Sequence, residues 1–130
     1  MSDIVLLVLS EKDSGWELNL SRPLKRHGID VVTLDDIDEA VTFIQQPEFD
    51  AREIITGSFG DGALNGPWRS VYEAALARHI RITLITSADY SLEQLQLLQS
   101  EHVGLIQKRK WNPNQFEAER FPKAGQLETE

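Results

Sequence analysis

Cysteine is absent from this 130-residue chain, which excludes disulfides, thiolate nucleophiles and cysteine-ligated metal and suits a reducing compartment. Basic residues are scarce as well: 13 Lys and Arg stand against 21 Asp and Glu, a net charge of −8 with a pI near 4.8. A broad basic face for nucleic acid is thereby excluded, and only Lys108, Arg109 and Lys110 form a local basic spot. Long apolar runs are also missing. The run Ile4 to Leu9 is far too short to span a membrane, and with Asp3 in front of it lacks the basic flank and length of a secretory signal, so the expected location is the cytoplasm. No internal repeat or low-complexity segment interrupts the chain. What is present is ordinary for a globular protein: 41% hydrophobic and 26% charged residues, in a length that suits one core and one domain.

Periodicity divides that domain into alternating elements. Ile4 to Leu9 is unbroken and branched, as a strand covered on both faces requires. From Ser14 to His27, Trp16, Leu20 and Leu24 recur four apart along one helical face, Gly28 stops the helix, and Pro23 is expected to bend or break it. Asp30 to Leu34 predicts a second strand. Asp35 or Asp36 then caps a helix that turns Ile37, Ala40, Val41 and Ile44 inward and ends at Pro47. Glu53 to Thr56 predicts a third strand, followed by a glycine-rich loop, residues 57–66. Pro67 starts a helix whose apolar side is Trp68, Val71, Tyr72, Ala75 and Leu76, ending near His79. Ile80 to Thr86 predicts a fourth strand, Ser91 a cap, Leu92, Leu95 and Leu98 the inner face of a fourth helix, and Val103 to Gln107 a fifth strand. Asn112-Pro113 opens a short last helical stretch with Phe116 and Phe121, and residues 122–130 read as a solvated tail. Strands alternating with helices imply an α/β domain over residues 1–121, a doubly wound five-stranded parallel sheet with right-handed crossovers.

Ligands of such sheets bind beyond the carboxyl ends of the strands. Those ends carry Ser10, Glu11, Lys12 and Asp13 after the first strand, Gly57 and Ser58 after the third, Thr86 and Ser87 after the fourth, and Gln107, Lys108 and Arg109 after the fifth. Order and spacing over residues 3–121 resemble a response-regulator receiver (CheY-like) domain. The resemblance implies the flavodoxin-like strand order 2-1-3-4-5, here with a shortened last helix. In that family two acids after the first strand hold Mg²⁺, an aspartate ending the third strand accepts the phosphoryl group, a Thr or Ser ends the fourth, and a lysine followed by proline ends the fifth. Laid on this chain, the acid pair falls on Ser10 and Glu11, with Asp13 a nearby substitute. The acceptor falls on Ser58, or on Gly57 with a one-residue slip; the hydroxyl falls on Thr86 or Ser87, and the lysine on Lys108. Arg109 replaces the proline, and Leu105 stands at the family's aromatic switch position.

Phosphoryl transfer to a receiver needs an anionic nucleophile and a carboxylate-bound cation. Ser58 offers a neutral hydroxyl with no histidine at any strand end to act as base, and the loss of two of three carboxylates weakens Mg²⁺ binding. The expectation is therefore a degenerate receiver pocket of Ser10, Glu11, Asp13, Ser58, Thr86 and Lys108, without metal or cofactor, in which Lys108 pairs with Glu11 or Asp13. For Glu11 and Asp13, capping and solvated charge are the better account than metal binding, and for Ser58 the closing of a turn. The loop GSFGDGALNG lacks the lysine of the GxxxxGKS/T phosphate loop. His27, His79 and His102 fall at helix ends, where the dipole favours them.

The expected function is that of a phosphorylation-independent signalling adaptor, not an enzyme, docking a signalling kinase, a regulator or a copy of itself, with no nucleic acid or membrane partner. An apolar surface of Leu97, Leu105, Phe116 and Phe121 is the expected docking face. The alternative is a small-molecule or nucleotide binder of flavodoxin-like type; residual phosphoacceptor activity at Asp61 or Asp13 ranks last.

Overall fold

The computed structural model describes residues 3–60 and 62–122. Asp61 and residues 123–130, on which the alternative acceptor and most of the expected tail fall, lie outside the described residues. Five strands, β1 (Ile4–Val8), β2 (Asp30–Leu34), β3 (Glu53–Gly57), β4 (Ile82–Thr86) and β5 (Val103–Gln107), alternate with α1 (Trp16–Arg26), α2 (Ile37–Gln45), α3 (Trp68–Ala77), α4 (Leu92–Ser100) and α5 (Pro113–Arg120). The sheet is parallel in the order β2-β1-β3-β4-β5. This is the flavodoxin-like order that the resemblance implies, and α5 is short, with 8 residues.

Each face of the sheet buries its own layer. Leu6, Val8, Ile54, Leu84 and Val103 face α2, α3 and α4 through Ala40, Ile44, Trp68, Val71 and Leu98. Val5, Leu7, Ile55, Ile85 and Ile106 face α1 and α5 through Leu20, Leu24 and Phe116. The central strands β1, β3 and β4 are covered on both sides, which is why they read as continuous apolar runs.

Local chemistry sets the helix ends. Asp36 caps α2 by accepting from the Glu39 amide at 2.8 Å, Ser91 and Gln94 form a reciprocal capping box on α4, and Asn112 caps α5 ahead of Pro113. Gly28 leaves α1 at φ +78°, while His79 and His102 take the same left-handed position after α3 and α4 at φ +57° and +61°.

Three expectations are corrected. Pro23 neither breaks nor ends α1, which runs through it; its ring is buried beside Leu20 and Leu24, and that burial offsets the lost hydrogen bond to the Asn19 carbonyl. Leu76 points outward at 55% exposure while Ala74 is buried, and the small Ala74 and Ala75 let α3 approach the sheet closely. On α4 only Leu98 is fully buried, Leu95 is half-buried and Leu92 is 72% exposed. Leucines three apart drift by about 60° per step around a helix, so Leu92 and Leu98 stand about 120° apart and cannot share one face.

Candidate functional site at the carboxyl ends of the strands

The carboxyl ends of β1, β3, β4 and β5 open into a cleft of about 370 Å³ that Ser10, Lys12, Asp13, Ser58, Thr86 and Lys108 line. A 3₁₀ turn, Glu11–Asp13, follows β1 and divides its two acids. Asp13 turns into this cleft, whereas Glu11 is exposed and lines a neighbouring cleft with Thr33 and Asp35. The structure thus brings together five of the six expected pocket residues and sends Glu11 elsewhere.

At the centre of the cleft Asp13 forms an ion pair with Lys108, which begins a second 3₁₀ turn directly after β5. Both side chains are largely buried. The ammonium also stands 5.9 Å from the centroid of the Trp16 ring, an attraction of the cation–π kind. Ser10 donates to the other Asp13 oxygen at 3.4 Å.

Gly57 ends β3 beneath this pair, and a Cβ built on it would lie 2.6 Å from Asp13 Oδ2. The Asp13 carboxylate therefore occupies the space that a side chain on residue 57 would need. A carboxylate reaches the end of β3, but from β1, and it arrives already neutralised by Lys108.

The hydroxyls are committed locally. Ser58 is buried, and its Oγ lies 3.4 Å from both the amide and the carbonyl of Gly60, closing the turn after β3. Thr86 Oγ1 accepts from the Ala88 amide at 3.0 Å. Tyr90, which the sequence did not single out, donates to the Gly62 carbonyl at 2.7 Å and ties the β4–α4 loop to the β3–α3 loop. Burial pushes its phenol above the usual value, partly opposed by a hydrogen bond with Thr86 and by the Arg69 charge. Only the placement of a tyrosine four residues beyond the strand end hinted at this role. Phe59, at φ +58°, lies on the rim; the left-handed backbone of a bulky residue here is a strained turn.

This donor set does not fit the Mg²⁺ that the receiver family holds. Mg²⁺ needs several hard oxygens in octahedral array, yet among the described lining residues Asp13 is the single carboxylate and it is bound to an ammonium.

The expected docking face does not form one patch. Phe116 is a core residue at 3% exposure, because α5 must fill the layer over Ile85 and Ile106. Phe121 is half-buried on that same side, stacked on His27 at 3.9 Å and covered by Arg52 at 5.3 Å. Leu105 packs on the opposite layer, and Leu97 is 46% exposed on α4. Leu105 and Phe116 meet only along the β5 edge, in a cleft of about 180 Å³ with Trp111.

Sequence reasoning also missed a buried polar row on the α5 side. Glu53 and Arg120 form a bidentate ion pair at 2.9 and 2.7 Å, Thr83 donates to Glu53 at 2.6 Å, and the guanidinium lies 4.0 Å over the Phe116 ring. Gly104 makes room for it, since a Cβ there would meet Thr83 Oγ1 at 2.7 Å.

No family model matches the chain. No curated protein matches it either. Solved structures do. A CheY-like receiver domain protein from Methanospirillum hungatei JF-1 superposes with a TM-score of 0.69 at 14% identity, over 99% of this chain and 98% of that one. A two-component response regulator from Clostridium difficile gives 0.68 at 18% identity, over 92% and 93%. The chemotaxis response regulator CheY4 of Vibrio cholerae gives 0.64 at 20% identity, over 89% and 93%. With the strand order β2-β1-β3-β4-β5 and near-complete coverage of these structures, the chain has the fold of CheY-like response-regulator receiver domains.

Proposed function

We propose that this chain is a receiver-fold signalling module that works by docking a protein partner, a signalling kinase or a regulator, and not by phosphoryl transfer or other catalysis. The reading places it in the cytoplasm, without cofactor, nucleic-acid or membrane partner. One observation carries it: the end of β3 bears a glycine, and the space beside it holds the Asp13 carboxylate paired with Lys108. An aspartyl phosphate needs a free carboxylate in line with the donor and a cation to spread the developing charge. Asp13 is held against an ammonium, and the hydroxyls of Ser58 and Thr86 are spent on backbone groups. The charge balance that phosphorylation or Mg²⁺ would alter in a receiver is here fixed by covalent sequence.

Acetyl phosphate with Mg²⁺ tests this directly. The intact mass is expected to stay unchanged, and beryllofluoride with Mg²⁺ to leave the melting temperature where it was, because a ligand that does not bind cannot stabilise. A gain of one phosphate that disappears in Asp13→Asn would overturn the proposal.

A further inference from the structure

The fixed pair in the cleft leaves open where a partner docks, and the β2 edge of the sheet supplies a surface. Among the described strands β2 is an edge that pairs with β1 alone, and an edge strand offers its outer backbone groups to an added segment. Two clefts flank its carboxyl end, of about 450 and 520 Å³, and they share Leu34 and Glu39. Their floor is apolar: Leu9 and Leu34 in the first, Leu34 and Phe43 in the second. Their rims are acidic. Glu11 and Glu17 stand on the α1 side, Asp35 and Asp36 at the tip, Asp38 and Glu39 on the α2 side.

None of these six carboxylates forms an ion pair with a cation among the described residues, and no Lys or Arg lines either cleft. The described cations that pair do so elsewhere: Arg26 with Glu117, Arg69 with Glu101, Arg81 and Arg120 with Glu53, Lys108 with Asp13 and Arg109 with Asp89. Lys12, between Glu11 and Asp13 in sequence, lines the other cleft. Among the described residues, two side-chain hydrogen bonds engage the rim carboxylates, the Asp36 cap on the Glu39 amide and the Thr33 hydroxyl on Glu17. Negative charge gathered around an apolar floor beside an open strand edge is complementary to one kind of occupant.

We infer that the β2–α2 edge docks an extended, lysine- or arginine-rich segment of a protein partner, with an apolar side chain seated against Leu34 and Phe43 and its backbone laid along β2. Main-chain bonds to the edge give the register and the carboxylates select the charge. The inference rests on the reading of the chain as a docking module and names the chemistry of its partner.

A fluorescent peptide alternating lysine with valine is the probe, titrated into the full chain by anisotropy. Binding is expected to weaken as salt rises and to fall about tenfold or more in Asp38→Lys/Glu39→Lys. Glu11→Lys, in the loop outside the helix, is a second variant that leaves α2 untouched and is expected to weaken binding in the same direction. Glu73→Lys/Glu93→Lys, on α3 and α4, is expected to leave affinity unchanged. Amide shifts on binding should fall on β2 and α2. The inference is overturned if the peptide does not bind, if the α3/α4 reversal costs as much as the α2 reversal, or if a lysine–serine peptide binds equally well. None of these results depends on whether acetyl phosphate modifies the chain, so the two readings fail separately.

Discussion

Gly57 and Asp13 share one volume at the end of β3, so neither residue has a meaning alone. A methyl on residue 57 would collide with the Asp13 carboxylate, and overpacking of this kind costs about 1–3 kcal/mol. Gly57→Ala is therefore expected to lower stability by that order in urea melts, and by much less when Asp13→Ala is already in place. A double-mutant cycle with no coupling would show that the collision is relieved some other way. At the α1–α5 contact, Glu117 meets Arg26 at 3.1 Å and His27 at 3.2 Å, and the hydrogen bond from Arg26 chiefly holds its carboxyl below the ordinary glutamate value. A carboxyl depressed in the folded state stabilises above its unfolded pKa and loses that contribution as pH falls through the folded one. Glu117→Gln should thus lower stability at neutral pH, with the difference from the unaltered chain shrinking as pH falls through and below the ordinary glutamate range, so that the acid limb is flatter. Melting temperatures measured across that range decide it.

Among the elements, α5 is held in a way that its sequence does not advertise. Its eight residues bury one aromatic side chain, Phe116, and its carboxyl end is fixed by Arg120 on the buried Glu53, with both side chains 5% exposed or less. Removing one partner of a buried pair leaves an uncompensated charge and costs about 3–5 kcal/mol. Arg120→Ala is expected to fall in that range by chemical denaturation, whereas Glu53→Leu/Arg120→Met should recover most of it, because it removes the need for the charge. A loss below about 1 kcal/mol for the single change would mean the pair is not what anchors α5. The element scale is also where periodicity misleads: the leucines of α4 are spaced to suggest one face, but their drift around the helix leaves only Leu98 inside.

Across the whole molecule, charge is distributed unevenly. Among the described residues the ion pairs draw on cations of α1, α3, α5, the segment before β4 and the turn after β5, while the β2–α2 end keeps its carboxylates without an ion pair, and the chain carries a net charge of −8. Self-repulsion of this kind destabilises the compact state and is screened by salt. Raising ionic strength from about 0.01 M to about 0.15 M shortens the Debye length from about 30 to about 8 Å, and the melting temperature at pH 7 is expected to rise. Asp38→Asn/Glu39→Gln should reduce that rise, and a salt response identical to that of the unaltered chain would place the repulsion elsewhere.

What the sequence determined by itself was whatever short-range chemistry encodes. The apolar run of β1, the branched cluster of β2, the caps at Asp36, Ser91 and Asn112, and the alternation of strand and helix were legible because each depends on neighbours a few residues away. The same holds for the glycine at the end of β3. Only the tertiary structure decided which long-range neighbour fills each gap. Glu11 and Asp13 lie two residues apart yet enter different clefts, since the 3₁₀ turn after β1 points them apart. Lys108 finds Asp13 across 95 residues and Arg120 finds Glu53 across 67. Phe116, polar on most sides in sequence, is drawn into the core because the layer over Ile85 and Ile106 has to be filled. Those partners are set by packing density and by the cost of a buried charge left unpaired, quantities that exist only once the sheet has brought distant residues together.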